Sequence, residues 1–170
     1  MVKVIVPDVE EFISTQNITE LDLSHCPNLQ RLNCGNNQLT ELDLSNCPNL
    51  QTLNCNHNDL TELDLSNCPN LQILNCDNNQ LTELDLSSCP NLKTLYCSYN
   101  QLTELHLSYC PELQILYCYN NQLEKLDILK NDKLTFSNWK DNPIYSEETN
   151  TIKKMKQYNR NNYCSEYILK

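Results

Sequence analysis

Residues 39–59 read LTELDLSNCPNLQTLNCNHND, and the chain repeats this stretch, with substitutions, at a spacing of 21 residues on both sides. Within the unit, Leu stands at positions 1, 4, 6, 12 and 15, Cys at 9 and 17, and Asn at 20. Ten of the eleven cysteines fall on two series of step 21: Cys26, Cys47, Cys68, Cys89, Cys110 and Cys34, Cys55, Cys76, Cys97, Cys118. Five full units cover 18–38, 39–59, 60–80, 81–101 and 102–122, and a degenerate sixth covers 123–143. The asparagine series Asn37, Asn58, Asn79, Asn100, Asn121, Asn142 runs into that sixth unit after the cysteines have stopped.

Each unit is nearly doubled, LTELDLSNC followed by LQTLNCNHN, and each half alternates apolar and polar residues for only three or four positions. Such a segment is a short strand followed by a turn. Two of them leave no room for a helix, which usually needs at least about 8 residues, so both walls of the coil are expected to be extended. Coils stacked at about 4.8 Å would share backbone hydrogen bonds and fill a narrow interior with leucine. The Asn at position 20 sits where the chain turns away from the strand, and its amide can both donate to and accept from backbone groups stranded inside.

The segments LQRLNCGNN, LQTLNCNHN, LQILNCDNN, LKTLYCSYN and LQILYCYNN fit LxxLxLxxN with Cys in the third apolar place. On these residues the chain resembles leucine-rich repeat proteins, and its 21-residue cysteine-bearing units are similar to the short-repeat domains of bacterial internalins. The resemblance implies a curved parallel sheet on the LxCxxN side and protein recognition as the usual role. The expected fold class is therefore a mainly β solenoid, a leucine-rich repeat right-handed coil with a parallel β-sheet and little helix except in the caps. Residues 1–17 are expected to form an N-terminal cap, 18–143 the solenoid, and 144–170 a C-terminal helical cap or tail.

Composition narrows the function. The 170 residues include one Gly and 26 Asn, and no apolar run approaches the roughly 18 residues of a membrane helix. A single Gly argues against glycine-rich nucleotide loops. A formal charge of -10 disfavours nucleic acid and anionic membranes. The charge is segregated, net -12 over 1–122 and +2 over 123–170. The stretch before Pro7 has one Lys and only three consecutive apolar residues, Val4 to Val6, too short for a signal peptide, so a cytoplasmic location is expected.

Solenoid ends expose apolar edges and need caps. Val2, Val4 and Val6 alternate as a first strand, and the residues from Asp8 to Ser14 are expected to form a short helix that lays Val9, Phe12 and Ile13 over the first leucines. At the other end the sixth unit has Asn131 and Trp139 in the cysteine places, Ser137 in a leucine place and Phe136 one place early. From Ser146 to about Tyr158 the pattern reads as a helix with Ile152 and Met155 on one face, and its lysines are read as a solvated surface.

The cysteines are expected to be reduced core residues. Neighbouring copies fall within disulfide range, but their side chains point in parallel and their number is odd. A line of identical ligands makes no tetrahedral zinc site, so no metal and no cofactor is expected. Cys164, in the tail, is expected to be the most reactive thiol.

Two faces remain for a partner. On the LxCxxN wall the outward positions 14, 16, 18 and 19 are amide-rich at first and end in Tyr96, Tyr99, Tyr117 and Tyr119. With Ile73, Ile115, Asp77 and His57 they make the candidate partner-binding set, since tyrosines give large, rigid contacts. The opposite wall carries Glu20, Glu41, Glu62, Glu83, Glu104 beside Asp22, Asp43, Asp64, Asp85, read as a solvated face without a closed calcium cage. These carboxylates are translation-related copies, and no activated nucleophile or isolated acid–base pair stands out, so no catalytic residues and no enzyme are expected. The expected role is a non-catalytic module, monomeric, that binds an unidentified protein through the concave sheet. The alternatives are a self-assembling structural solenoid and an adhesin-like fragment of a larger exported protein.

Overall fold

The computed structural model describes residues 2–14 and 17–144. Nine strands of three residues each run through it: β1 (Lys3–Ile5), β2 (Glu11–Ile13), β3 (Glu20–Asp22), β4 (Arg31–Asn33), β5 (Thr52–Asn54), β6 (Ile73–Asn75), β7 (Thr94–Tyr96), β8 (Ile115–Tyr117) and β9 (Phe136–Asn138). Seven form one parallel sheet in the order β2-β4-β5-β6-β7-β8-β9, and β1 pairs with β3 beside it. From β4 onward the register advances by one repeat per strand: Leu32 faces Leu53, then Leu74, Leu95, Leu116 and Ser137. The chain is a parallel-sheet β-solenoid with essentially no helix.

The strands are short because the inward residue at position 15 is followed almost at once by a turn. That turn places position 19 in the left-handed region, at φ 58° for Asn36, 50° for His57, 55° for Asn78, 52° for Tyr99, 52° for Asn120 and 57° for Asp141. Asn and Asp enter this region at the lowest cost and His at somewhat more, whereas Tyr is strained there.

The position-20 asparagine then organises the interior. Asn79 donates through Nδ2 to the carbonyls of Cys55 (3.1 Å), Cys76 (3.1 Å) and Asp77 (3.3 Å), and its Oδ1 accepts from the Leu60 amide at 3.1 Å. Asn58, Asn100, Asn121 and Asn142 repeat this set, each clamping its own coil to the one before. The inferred ladder is present.

Both cysteine columns are wholly buried and free of disulfides. Burial raises every one of these thiols above its ordinary range, to about 12 at Cys34, Cys47, Cys68 and Cys89. They are protonated at neutral pH and serve as small apolar fillers.

Two expectations are corrected. The segment from Asp8 to Ser14 is not helical: β2 adds to the sheet, with Phe12 opposite Leu32. The reason is the open edge of β4, whose Gln30 and Arg31 amides find the Glu10 carbonyl at 2.8 and 3.0 Å, while Ser14 donates to the Asn33 carbonyl at 2.8 Å. A helix there would leave those groups without backbone partners. Residues 2–14 thus extend the solenoid with strand on both walls, β1 on β3 and β2 on β4. The second wall also differs from expectation, because among the described residues its only strand pair is β1 with β3. The Asp at position 5 accepts the amide of the serine two residues on in each of the first four coils, at 3.1 Å for Asp22, 2.9 Å for Asp43, 2.8 Å for Asp64 and 2.8 Å for Asp85, so what sets the first coil apart is the added strand β1 beside β3. Where His106 replaces that Asp, the bond is missing and the chain forms a 3₁₀ turn over Leu107–Tyr109. The C-terminal helix and Cys164 lie outside the described residues.

Candidate protein-binding face

Parallel pairing at one repeat per strand brings equal unit positions side by side, so like side chains stack along the outer sheet face. Tyr96 on β7 faces Tyr117 on β8, with ring centroids 5.1 Å apart and planes 26° from parallel. Phe136 continues the row, 4.8 Å from Tyr117 and at 28°. At the adjoining turns Tyr99 meets Tyr119 edge-on, 5.0 Å apart and at 75°. Tyr99 remains 48% exposed despite that contact.

The structure therefore gathers all four expected tyrosines and adds Phe136. The sequence reading placed Phe136 one position early in the core, but the register holds: Phe136 faces Ile115 and turns outward, while Ser137 takes the inward place and is buried. Counting 21 residues on from Ile115 would have revealed it.

Ile73 and Ile115 lie on the same face but are separated by Thr94, which pairs with both. Ile73 is 41% exposed and Ile115 half-buried. Asp77 is half-buried, and its Oδ1 accepts the Ser98 amide at 2.5 Å. Burial pushes its carboxyl above the ordinary range, and the Ser98 hydrogen bonds and the charge of His57 offset this only in part. Tyr119 is also raised, first by burial, then by Tyr99 and Asp77. His57 is exposed at the rim, and its amide donates to the Asp77 carbonyl at 2.9 Å.

The opposite wall holds an open groove of about 810 Å³ lined by Lys3, by both carboxylate rows and by His106. Its aspartates are structural: hydrogen bonds from Ser45, Ser66 and Ser87 hold Asp43, Asp64 and Asp85 below the usual carboxylate range. Among the described residues no group of three or more His, Cys, Asp and Glu side chains is placed to hold a metal ion. No helix among them is long and apolar enough to cross a membrane.

The 21-residue register and the asparagine ladder meet an independent match: residues 48–88 and 90–131 fit the family described as Leucine Rich repeats (2 copies). This is a leucine-rich repeat protein. A comparison with curated protein sequences gives no match. Among solved structures, the leucine-rich repeat chain is similar to the functional domain of InlJ from Listeria monocytogenes, which includes a cysteine ladder, with 34% identity and a TM-score of 0.79 over 82% of this chain and 32% of that one. Internalin C2 from the same organism aligns at 25% identity and TM-score 0.67, covering 72% of this chain and 61% of that one. YopM from Yersinia enterocolitica aligns at 30% identity and TM-score 0.60, covering 84% and 29%. The chain thus spans about a third of the InlJ structure's length.

With its buried cysteine ladder, this leucine-rich repeat protein closely resembles internalin-type domains, a non-catalytic scaffold generally used for protein–protein interaction. The cytoplasmic location expected from the sequence is corrected by these relatives, which are surface or secreted internalin-type proteins and translocated effectors rather than typical cytoplasmic proteins. The missing signal pattern was a poor guide because it described the first residues of this chain, whereas the relatives share its repeats.

Proposed function

We propose that this leucine-rich repeat protein binds a protein partner through the outer face of its seven-stranded sheet, with the aromatic end from β7 to β9 as the energetic centre. The carrying observation is the stacked row of Tyr96, Tyr117 and Phe136 beside the Tyr99–Tyr119 pair. Flat, pre-stacked rings give up little side-chain entropy on binding and bury much area, which suits them to an interface core. Ile73 and Ile115 extend the apolar area, and His57 and Asp77 supply polar contacts where the amide-rich half begins.

The test is to replace Tyr96 and Tyr117 together with Ala and to measure capture of a native partner from an extract of the source organism. Unchanged circular dichroism with lost capture supports the reading, and undiminished capture rejects it.

A second reading, self-assembly, is favoured by the open strand edge at the N-terminal end, where Ile5 and Ile13 are 66% and 56% exposed. It requires a mass that grows with concentration in sedimentation and is lost in an Ile5→Lys, Ile13→Lys variant. A constant monomer mass dismisses it.

A further inference from the structure

Strands β4 to β9 and the turns after them carry eighteen residues at unit positions 14, 16 and 18, and Asp77 is the only carboxylate among them. Cations stand only at the two ends, as Arg31 and Lys140. Asp77 lies where the amide-rich half of the face meets the aromatic half. The Ser98 amide holds its Oδ1 toward the next coil at 2.5 Å. Ser98 itself is small and wholly buried, and one coil farther on stands Tyr119, close enough for the Asp77 charge to act on its hydroxyl. Tyr99 meets Tyr119 edge-on at 5.0 Å, and exposed Ile73 lies in the same repeat as Asp77.

A half-buried carboxylate that has lost part of its hydration is costly unless a cation compensates it. Elsewhere the chain supplies such cations: Arg31 pairs with Glu11 at 3.2 Å and Lys133 with Glu112 at 2.5 Å. Among the described residues no lysine or arginine pairs with Asp77. We propose that Asp77, with Tyr119 and its ring partner Tyr99 beside it, is the receptor for an arginine side chain of the protein partner. The proposal rests on the sheet-face reading above and adds the chemistry that the partner must bring.

Three features favour arginine. The chain's net charge of -10 attracts cations toward any surface it presents. Tyrosine rings beside a carboxylate suit a guanidinium, which is planar, weakly hydrated and able to stack on an aromatic ring while donating to an oxygen at its edge. With Oδ1 held by the Ser98 amide, the second oxygen is the natural acceptor for that donor. Lysine's compact, strongly hydrated ammonium fits a half-buried place less well.

The direct test is an amide-resolved NMR titration with N-acetyl-arginine methylamide, with its neutral citrulline isostere and with N-acetyl-lysine methylamide. The arginine probe is expected to shift the Ser98 amide and the Tyr99 and Tyr119 ring signals saturably. At least a fivefold weaker response is expected with the lysine probe and with the Asp77→Asn variant, and none with citrulline. Equal responses from Asp77→Asn, or arginine shifts confined to the Glu41–Asp43 wall, overturn the proposal. Capture experiments separate the two levels: if Asp77→Asn captures partner as well as the native protein while the Tyr96, Tyr117 double variant does not, the arginine receptor falls and the sheet-face reading stands. If the double variant still captures, the sheet-face reading falls.

Discussion

Replacing Asn79 with Ala removes one rung of the asparagine ladder, and the structure shows which groups lose a partner. The Cys55 carbonyl keeps Asn58, the Cys76 carbonyl keeps Asn100, and the Asp77 carbonyl keeps the His57 amide. The Leu60 amide, at 3.1 Å from Asn79 Oδ1, has no other acceptor among the described residues and is buried in the core. One orphaned buried donor costs about 1–3 kcal/mol, and the weakened acceptors add about 1 kcal/mol more. The expected loss is therefore about 2–4 kcal/mol. With a urea dependence of about 2–3 kcal/mol per molar, the midpoint falls by roughly 1 M. Asn79→Asp is expected to cost more, because its second oxygen faces the Cys55 and Cys76 carbonyls and cannot donate to them. Hydrogen exchange supplies the local readout, with the Leu60 amide accelerating far more than the Leu39 amide, which keeps Asn58 at 3.0 Å. An unchanged midpoint together with an unaccelerated Leu60 amide would refute the ladder's energetic role.

His57→Asn places a residue tolerant of left-handed backbone at φ 50° and is expected to raise the urea midpoint, by on the order of 0.5–1 kcal/mol of the left-handed penalty. A lowered midpoint contradicts strain at that turn. Leu53→Ala, at a wholly buried position under the sheet, is expected to cost about 2–5 kcal/mol in the same melt. The serine-bonded Asp43, Asp64 and Asp85 have lowered folded-state pKa values, so their contribution is fully present above the unfolded carboxylate range and is lost as pH falls through the folded values. Asp77 has the opposite sign, its raised pKa making protonation favourable to the fold. Asp64→Asn keeps an acceptor for Ser66 without the charge and is expected to flatten the acid limb of stability against pH, whereas Asp77→Asn is expected to raise stability at neutral pH. Thiol titration without reductant is expected to find the ten ladder cysteines unreactive in the native protein and reactive in denaturant, since burial holds thiols such as Cys118 up at about 12.

Most of the fold is legible in the sequence because every coil repeats the same solution. The 21-residue spacing of Leu53, Leu74 and Leu95 fixes both sheet register and inward direction, and the invariance of the position-20 asparagine marks a buried polar task. Reading failed where the repeat stops. The Asp8 to Ser14 stretch has no copy to compare with, and the open edge of β4, a partner that local propensity does not see, decides its state. Phe136 was misread because an aromatic beside Ser137 invites a shifted frame, and only the backbone pairing with β8 holds the register. The two acidic rows look alike in sequence, yet the Asp row closes turns while the Glu row does not. At the face, the tyrosines could be picked out by type and clustering, but not the hydrogen bond from the Ser98 amide that holds the Asp77 carboxylate.

The central claim is that partner contact is made by the aromatic end of the sheet face, and residue-specific photo-crosslinking tests it most directly. A photoreactive side chain at Thr94, beside Tyr96 on the sheet, and another at Glu83, on the acidic wall, are compared in the presence of the captured partner. The expected result is a single adduct from Thr94, competed away by unlabelled protein, and none from Glu83. Adducts from Glu83 with none from Thr94 would contradict it.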